Sequence, residues 1–404
     1  MKQRILIAFV LLLVPIAGAQ VYTITDLGPL SPTAINTWGQ VVGNLNGKAF
    51  IWTQSSGRKG LGTLTGGTHS YASGINDLGV VTGTADGAGT VISEGVPQFP
   101  DSSPPPNQEC SDLTQPFVWT PRNGMKGLGA AEVPDVDQAP FDWCEIPFFG
   151  SGINDLGQVV GYTTVYSTDQ YALLWASAGG MTFLSGDLGE GNWPPTMANG
   201  VSNTGQLVGQ SDNSPYSGHA TSWKNGVSTD LATLDGGASS ANGVNDLGQI
   251  VGWSTATLLS EDGCWAFGSV DITECPMNAV LWNANGKITN LGTLPGDAFS
   301  SASNINLPGQ VIGSSGNTVV FQWTEGEPVV GESPIAVIGR PFIWTQGSGM
   351  RDLNTLISAS SGWVLNSATG INLWGQIVGS GTVNGHAHGF LLIPTFFANQ
   401  GGRP

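Results

Sequence analysis

Carboxylates and tryptophans recur together in the longer polar segments of this chain. Asp142 and Trp143 stand beside Glu145, and Glu261 and Asp262 precede Trp265. Trp193, Trp253, Trp323 and Trp363 lie in or beside other such segments. An indole face next to a carboxylate suits stacking on a sugar ring or capture of a cationic group. The same indoles also serve to pack insertions down as small satellite cores. A second chemistry is acid/base work on a polysaccharide by Asp142, Glu145, Glu261 and Asp262. Glycoside hydrolysis needs two carboxyls roughly 5–10 Å apart, and spacing along the chain nominates no pair.

Other catalytic signals are missing. There is no GxSxG, HExxH, phosphate-binding loop or EF-hand spacing in the sequence. Histidines number four: His69, His219, His386 and His388. His386 and His388 have the alternate spacing of a strand, which fits a metal-ligand pair or a strand-edge surface pair. The Asp- and Gly-containing stretch Thr84–Gly87 offers oxygen ligands for weak calcium binding, a non-specific signal. The reading is therefore of a binding or scaffold protein with no cofactor. The alternative is a secreted hydrolase or lyase.

The elements that must position these residues repeat. A hairpin of the form N-x-x-G-Q-V-V-G begins at Asn36, Asn76, Asn154, Ser202, Asn245, Asn306 and Asn372. Its first residue can bond its own turn backbone, and its Gly supplies the left-handed conformation that closes a bulged turn. The flanking residues read as strands A and B. Strand C follows as KAFIW (48–52), PFVW (116–119), YALLW (171–175), HATSW (219–223), NAVLW (278–282), PFIW (341–344) and HGFLL (388–392). Six of these seven end in Trp, which suits packing between sheets. Strand D is expected at GLGTL (60–64), GLG (127–129), FLSGDLG (183–189), DLATL (230–234), NLGTL (290–294) and DLNTL (352–356).

No such element follows the seventh strand C. The missing one stands at the other end of the chain, as DLGPL (26–30). Seven units of four short strands predict an all-β, seven-bladed β-propeller of four-stranded antiparallel blades, closed by an N-terminal strand that completes the last blade. Closure removes the exposed sheet edges through which strand proteins aggregate. The content of 60 Gly and only 10% charged residues suits many short strands and tight turns.

From about Val21 to Pro394 the chain resembles the HAF-type extracellular repeat proteins. The G-[IV]-N-x-x-G-Q-[VI]-V-G hairpin and the DLGTL element carry the resemblance. The name-giving His-Ala-Phe triplet is replaced here by Lys48-Ala49-Phe50 and His219-Ala220-Thr221. The resemblance implies an exported, repeat-built β protein and brings no catalytic residues.

The leader agrees with export. Lys2 and Arg4 precede the apolar run Ile5–Ile16, and Ala17-Gly18-Ala19 fits a cleavage site. Residues 1–19 are thus expected to be a signal peptide, 20–394 one propeller domain and 395–404 a flexible tail. The mature chain is expected to be secreted or periplasmic, and monomeric. Four cysteines in that compartment, Cys110, Cys144, Cys264 and Cys275, predict two disulfides. Cys110–Cys144 joins neighbouring insertions, and Cys264–Cys275 closes a loop within one.

Loop length divides unevenly. A–B and C–D turns share one end of a propeller, and B–C and D–A loops share the other. The long insertions are 84–115, 254–277 and 314–340, all B–C, and 130–149, 189–196 and 358–367, all D–A. Varied loops on a regular scaffold carry function. Of the 29 acidic residues, 22 fall in B–C and D–A segments. Arg58, Lys59, Arg122, Lys126, Lys224, Lys287 and Arg351 instead sit in or beside C–D turns. A net charge of −17 argues against nucleic acid and membrane partners. The expected partner is a saccharide, peptide or cell-surface molecule held at the long-loop end. Trp38 and Trp374, in A–B turns, are expected to cover the junction of the chain ends.

Overall fold

A computed structural model of the chain describes residues 21–92, 108–131, 146–165, 169–177, 179–184, 196–214, 217–234, 238–255, 277–321 and 334–395. The leader and residues 396–404 lie outside them. The blades form the predicted propeller, each a four-stranded antiparallel sheet in the order A–B–C–D. Strand A is innermost. Neighbouring A strands, such as Ser31–Ile35 and Ser70–Ile75, or Thr196–Val201 and Ser239–Val244, touch one another around the ring.

The seventh blade closes as the missing strand demanded. Tyr22–Gly28 pairs antiparallel with His386–Pro394, with Tyr22 opposite Pro394 and Asp26 opposite Phe390. Its strand A is in two pieces, Trp363–Leu365 and Gly370–Ile371, both paired with Ile377–Val383. Tyr22, Leu27 and Leu30 are buried there. Thr395 N–H donates to the Val21 carbonyl at 2.8 Å, extending the pairing by one residue.

Strand D differs from expectation. The ladders run over Gly57–Gly60, Gly124–Gly127, Val227–Asp230, Ile288–Gly292 and Gly349–Asp352, mostly just before the DLGTL-type elements. The leucines of those elements leave the sheet and enter the core between blades. Leu61 and Leu64 pack beside Ala72, Val81 and Phe117 of the next blade. In blade six, Leu353–Leu356 is a short 3-10 turn. Alternating leucines read as a strand, but burial between sheets satisfies them equally well.

The strand-C tryptophans pack between sheets. Trp119 joins a cluster with Ile51 and Leu61 of the preceding blade, and Trp282 one with Val208 and Leu231. The Trp282 indole also donates to the Ala232 carbonyl.

What holds the ring is the first residue of each A–B turn. Asn36 is buried, and its carboxamide makes four bonds. Its Oδ1 accepts from the N–H groups of Trp38 and Gln40, and its Nδ2 donates to Gln40 Oε1 and to the Asn76 carbonyl of the next blade. The inter-blade bond recurs from Asn76 to Asn154, Asn154 to Ser202, Asn245 to Asn306, Asn306 to Asn372, and Asn372 back to Asn36, at 2.9–3.0 Å. Ser202 is the exception. Its hydroxyl reaches only its own turn, and Asn203 contacts Asp246 instead.

A second set of stitches lies one layer along strand A, at a β-bulge in five blades and at the break in strand A of blade seven. Thr33, Ser73, Asn199, Asn242, Ser303 and Thr369 each donate to a carbonyl of the following blade. Opposite the bulge, the last Gly of the hairpin motif must be Gly. A Cβ on Gly161 or Gly209 would lie 1.8 Å from a strand-A carbonyl oxygen.

Candidate interaction faces

The long insertions leave from the end opposite the stitched turns, and their described parts build structure of their own. Gly89–Ile92 pairs with Gln108–Cys110, and Ala130–Ala131 adds in parallel, forming a small sheet outside the ring. Val91, Cys110, Leu113 and Ala130 bury against Ile146, Phe148 and Leu173 of blade three. Gln115 fastens the base of this sheet: its Nε2 donates to the Ala88 carbonyl and its Oε1 accepts from Gly129 N–H. In blade six, strands B and C extend to Val311–Phe321 and Pro334–Thr345, well beyond the ladders of their neighbours.

Two of the candidate ligand-binding residues are described. Trp253 is 2% exposed and packs with Ala238, Met277, Phe299 and Val337 under the elongated hairpin. Trp363 is half-buried, edge-on to Phe390 at 6.1 Å and His388 at 6.4 Å. Both support the insertions in the manner of satellite cores. Trp143, Trp193, Trp265, Trp323, Asp142, Glu145, Glu261 and Asp262 lie outside the described residues. Cys110 is disulfide-bonded. Cys144, Cys264 and Cys275 lie outside the described residues, so its partner is not placed.

Near blade one the loop end brings together residues that the sequence did not connect. Thr68 Oγ1 and Asp86 Oδ2 both approach His69 Nδ1, at 2.8 and 3.3 Å. A Thr–His–Asp set invites a nucleophilic reading. A catalytic triad, however, holds the hydroxyl and the carboxylate on opposite ring nitrogens. Here both crowd Nδ1, and the Thr68 hydroxyl donates to Asp86. Asp86 also accepts the backbone N–H groups of Thr68 and His69. Burial pushes its carboxyl up, and these bonds more than offset it, taking the pKa down to about 2. A general acid needs the opposite shift. The set is a loop cap, and it holds His69 parallel to the exposed ring of Tyr71.

The histidines follow a structural rule. His219 at the start of strand C bonds Asp230 of strand D, and His388 bonds Asp26 at 2.9 Å across the clasp. In blade six Arg340 takes the same place against Asp352. In these three blades the basic residue at the strand-C position meets the Asp of the DLA, DLG or DLN element, whereas Lys48 of blade one donates to the Thr68 carbonyl. Among the described residues no group of three His, Cys, Asp or Glu is arranged to hold a metal ion, and no helix is long and apolar enough to cross a membrane.

No protein-family model and no curated protein sequence matches the chain. Sequence reasoning missed the Asn ring, although its signal was present. Six of seven hairpins place Asn four residues before a fixed polar or apolar partner of the same turn, and five of those partners are Gln.

Proposed function

We propose that this chain is an exported β-propeller scaffold that binds a saccharide, a peptide or a cell-surface partner at its long-loop end. The carrying observation is the asymmetry of the ring. Seven short turns are stitched shut at one end, while the insertions begin at the other and are raised on a satellite sheet and a lengthened hairpin. A rigid base under variable segments is how binding loops are commonly displayed. The tryptophan and carboxylate groupings around Trp143 and Trp265 supply the ligand contacts in this reading. The leader, cleaved near Ala19, and the resemblance to HAF-type extracellular proteins support secretion or a periplasmic location. Disulfides Cys110–Cys144 and Cys264–Cys275 then brace the insertions.

A glycan array and a peptide array probed with the mature chain test the reading. Trp143→Ala and Trp265→Ala are expected to weaken any captured ligand about tenfold or more, and Trp38→Ala, at the other end, to leave it bound. Loss with Trp38→Ala alone would move the ligand site to the turn end.

A further inference from the structure

The stitched end has a property that neither the hairpin pattern nor the net charge announced. The third residue of the A–B turn points away from the ring, and in most blades it is large and apolar. Trp38 is 70% exposed, Leu78 72%, Leu156 66%, Leu247 60% and Trp374 36%; blades four and six have Thr204 and Pro308 at this place. Equivalent positions in a closed ring stand at one height, so these side chains form a level crown around the mouth of the propeller. The two indoles are held in place rather than loose. Trp38 Nε1 donates to the Asp77 carbonyl at 2.8 Å, and Trp374 Nε1 donates to the Thr37 carbonyl at 3.1 Å across the junction of blades seven and one. Fixed, exposed indoles that share one ring with exposed leucines mark an interaction surface.

We propose that this crown docks flat on an anionic lipid surface. Three features select that occupant. The crown is level, as a bilayer interface is, whereas a folded partner would need a matching annular groove. Its composition of Trp and Leu is that of interfacial anchors. Its surroundings are basic: Arg58, Lys59, Arg122, Lys126, Lys224 and Lys287 are exposed in or beside the C–D turns of the same end. The carboxylates there, Asp77, Asp155 and Asp246, are fewer, and each accepts a backbone N–H of the preceding blade. A second copy is disfavoured, since crown-to-crown pairing would oppose two basic rims on chains that each carry −17. The expectation of no membrane partner rested on that net charge, which hides a turn end of the other sign. The docking does not depend on what the loop end holds.

The test is flotation of the mature chain with vesicles of phosphatidylcholine alone and of phosphatidylcholine mixed with phosphatidylglycerol. Binding is expected to the mixed vesicles and to fall with salt. The double variant Trp38→Ser with Leu78→Ser is expected to lower partitioning by about tenfold or more. Lys126→Gln and Lys224→Gln are each expected to lower it about fivefold on anionic vesicles only. An unchanged melting curve shows that the crown variant still folds, and quenching of Trp38 by brominated lipid reads the contact directly. Failure to float with anionic vesicles would overturn the proposal, as would binding that the crown variant leaves intact. A dimer in the absence of lipid that the crown variant dissolves would also overturn it and give the crown to a second copy.

Discussion

The two ends of this propeller are built from the same strands, yet they meet opposite demands. At the turn end, six of seven blades spend one buried Asn on two tasks: it caps its own hairpin and donates to the neighbouring blade. All four bonding capacities of Asn36 are used there, which leaves no slack in the turn. Towards the loop end, neighbours are joined as well. The hydroxyls of Ser70, Thr196, Ser239 and Ser300, at the start of strand A, accept the N–H of Ala49, Ala172, Ala220 and Ala279 in the preceding blade. The insertions beyond carry contacts of their own, such as the Asp86 cap and the Gln115 clamp. The difference shows how a repeat protein can vary half its surface. The Asn stitch keeps the turns short at one end, and the insertions at the other vary beyond the strand-A hydroxyls that join the blades there.

Loss of ring closure should have the largest effect. Deleting residues 20–30 removes the outer strand of blade seven together with buried Tyr22, Leu27 and Leu30. The expected loss is on the order of 5 kcal/mol or more, with aggregation through the bared edge of His386–Pro394. A monomer with an unaltered melting curve would refute the clasp. Next in size is the stitch itself. Asn36→Ala orphans the turn amides of Trp38 and Gln40 and leaves the Asn76 carbonyl with the Gly79 N–H alone, and chemical denaturation should read a loss of about 2–4 kcal/mol.

The loop end yields to a different lever. Reduction of the Cys110 disulfide should cost about 2–4 kcal/mol, and non-reducing peptide mapping should recover Cys110 joined to Cys144. A Cys110–Cys264 peptide would contradict the assigned pairing. Asp86→Asn is expected to destabilise by about 1–2 kcal/mol at neutral pH, since the side chain is 20% exposed. The sign follows from a depressed pKa. The contribution is complete above the ordinary value of 3.8 and fades as pH falls toward about 2. Wild type and variant should therefore converge in acid, and a difference that persists below pH 2 would remove the carboxylate from the account.

The smallest effect is expected at blade four. Ser202 is the one first-turn residue that lacks a carboxamide, and Gln206 is already in place four residues on. Ser202→Asn should supply the missing bond to the Asn245 carbonyl and stabilise by about 1 kcal/mol. A neutral or destabilising result would show that blade four is set too far from blade five.

Much of this was legible in the sequence because turn chemistry and strand alternation are local signals. The seven hairpins, their strand-C partners and the displaced seventh strand D could be read from N-x-x-G, from the closing Trp and from one absent element. The position of strand D could not, because Leu61 and Leu64 alternate as strand residues do while packing between blades. Nor could the innermost strand, since alternation within a sheet is the same whichever edge faces the axis. Trp253 illustrates the limit for the candidate site. Its neighbours along the chain are polar, but Phe299 and Val337 come from another blade to bury it. Exposure of Trp38 was equally hidden, because a Trp in a tight turn reads as a lid until its surroundings are known.

Native-state hydrogen exchange tests the division of labour most directly. The amides of Leu78, Leu156, Leu247 and Trp374, each bonded to an Asn Oδ1, should exchange slowly despite their place in surface turns. The turn at Ser202 should be the fastest of the seven, and backbone at the loop end around Ser111 and Asp112 faster still. Turn amides that exchange as freely as the loop end, with Ser202 no different from the rest, would contradict the claim that the Asn ring locks one end so that the other can vary.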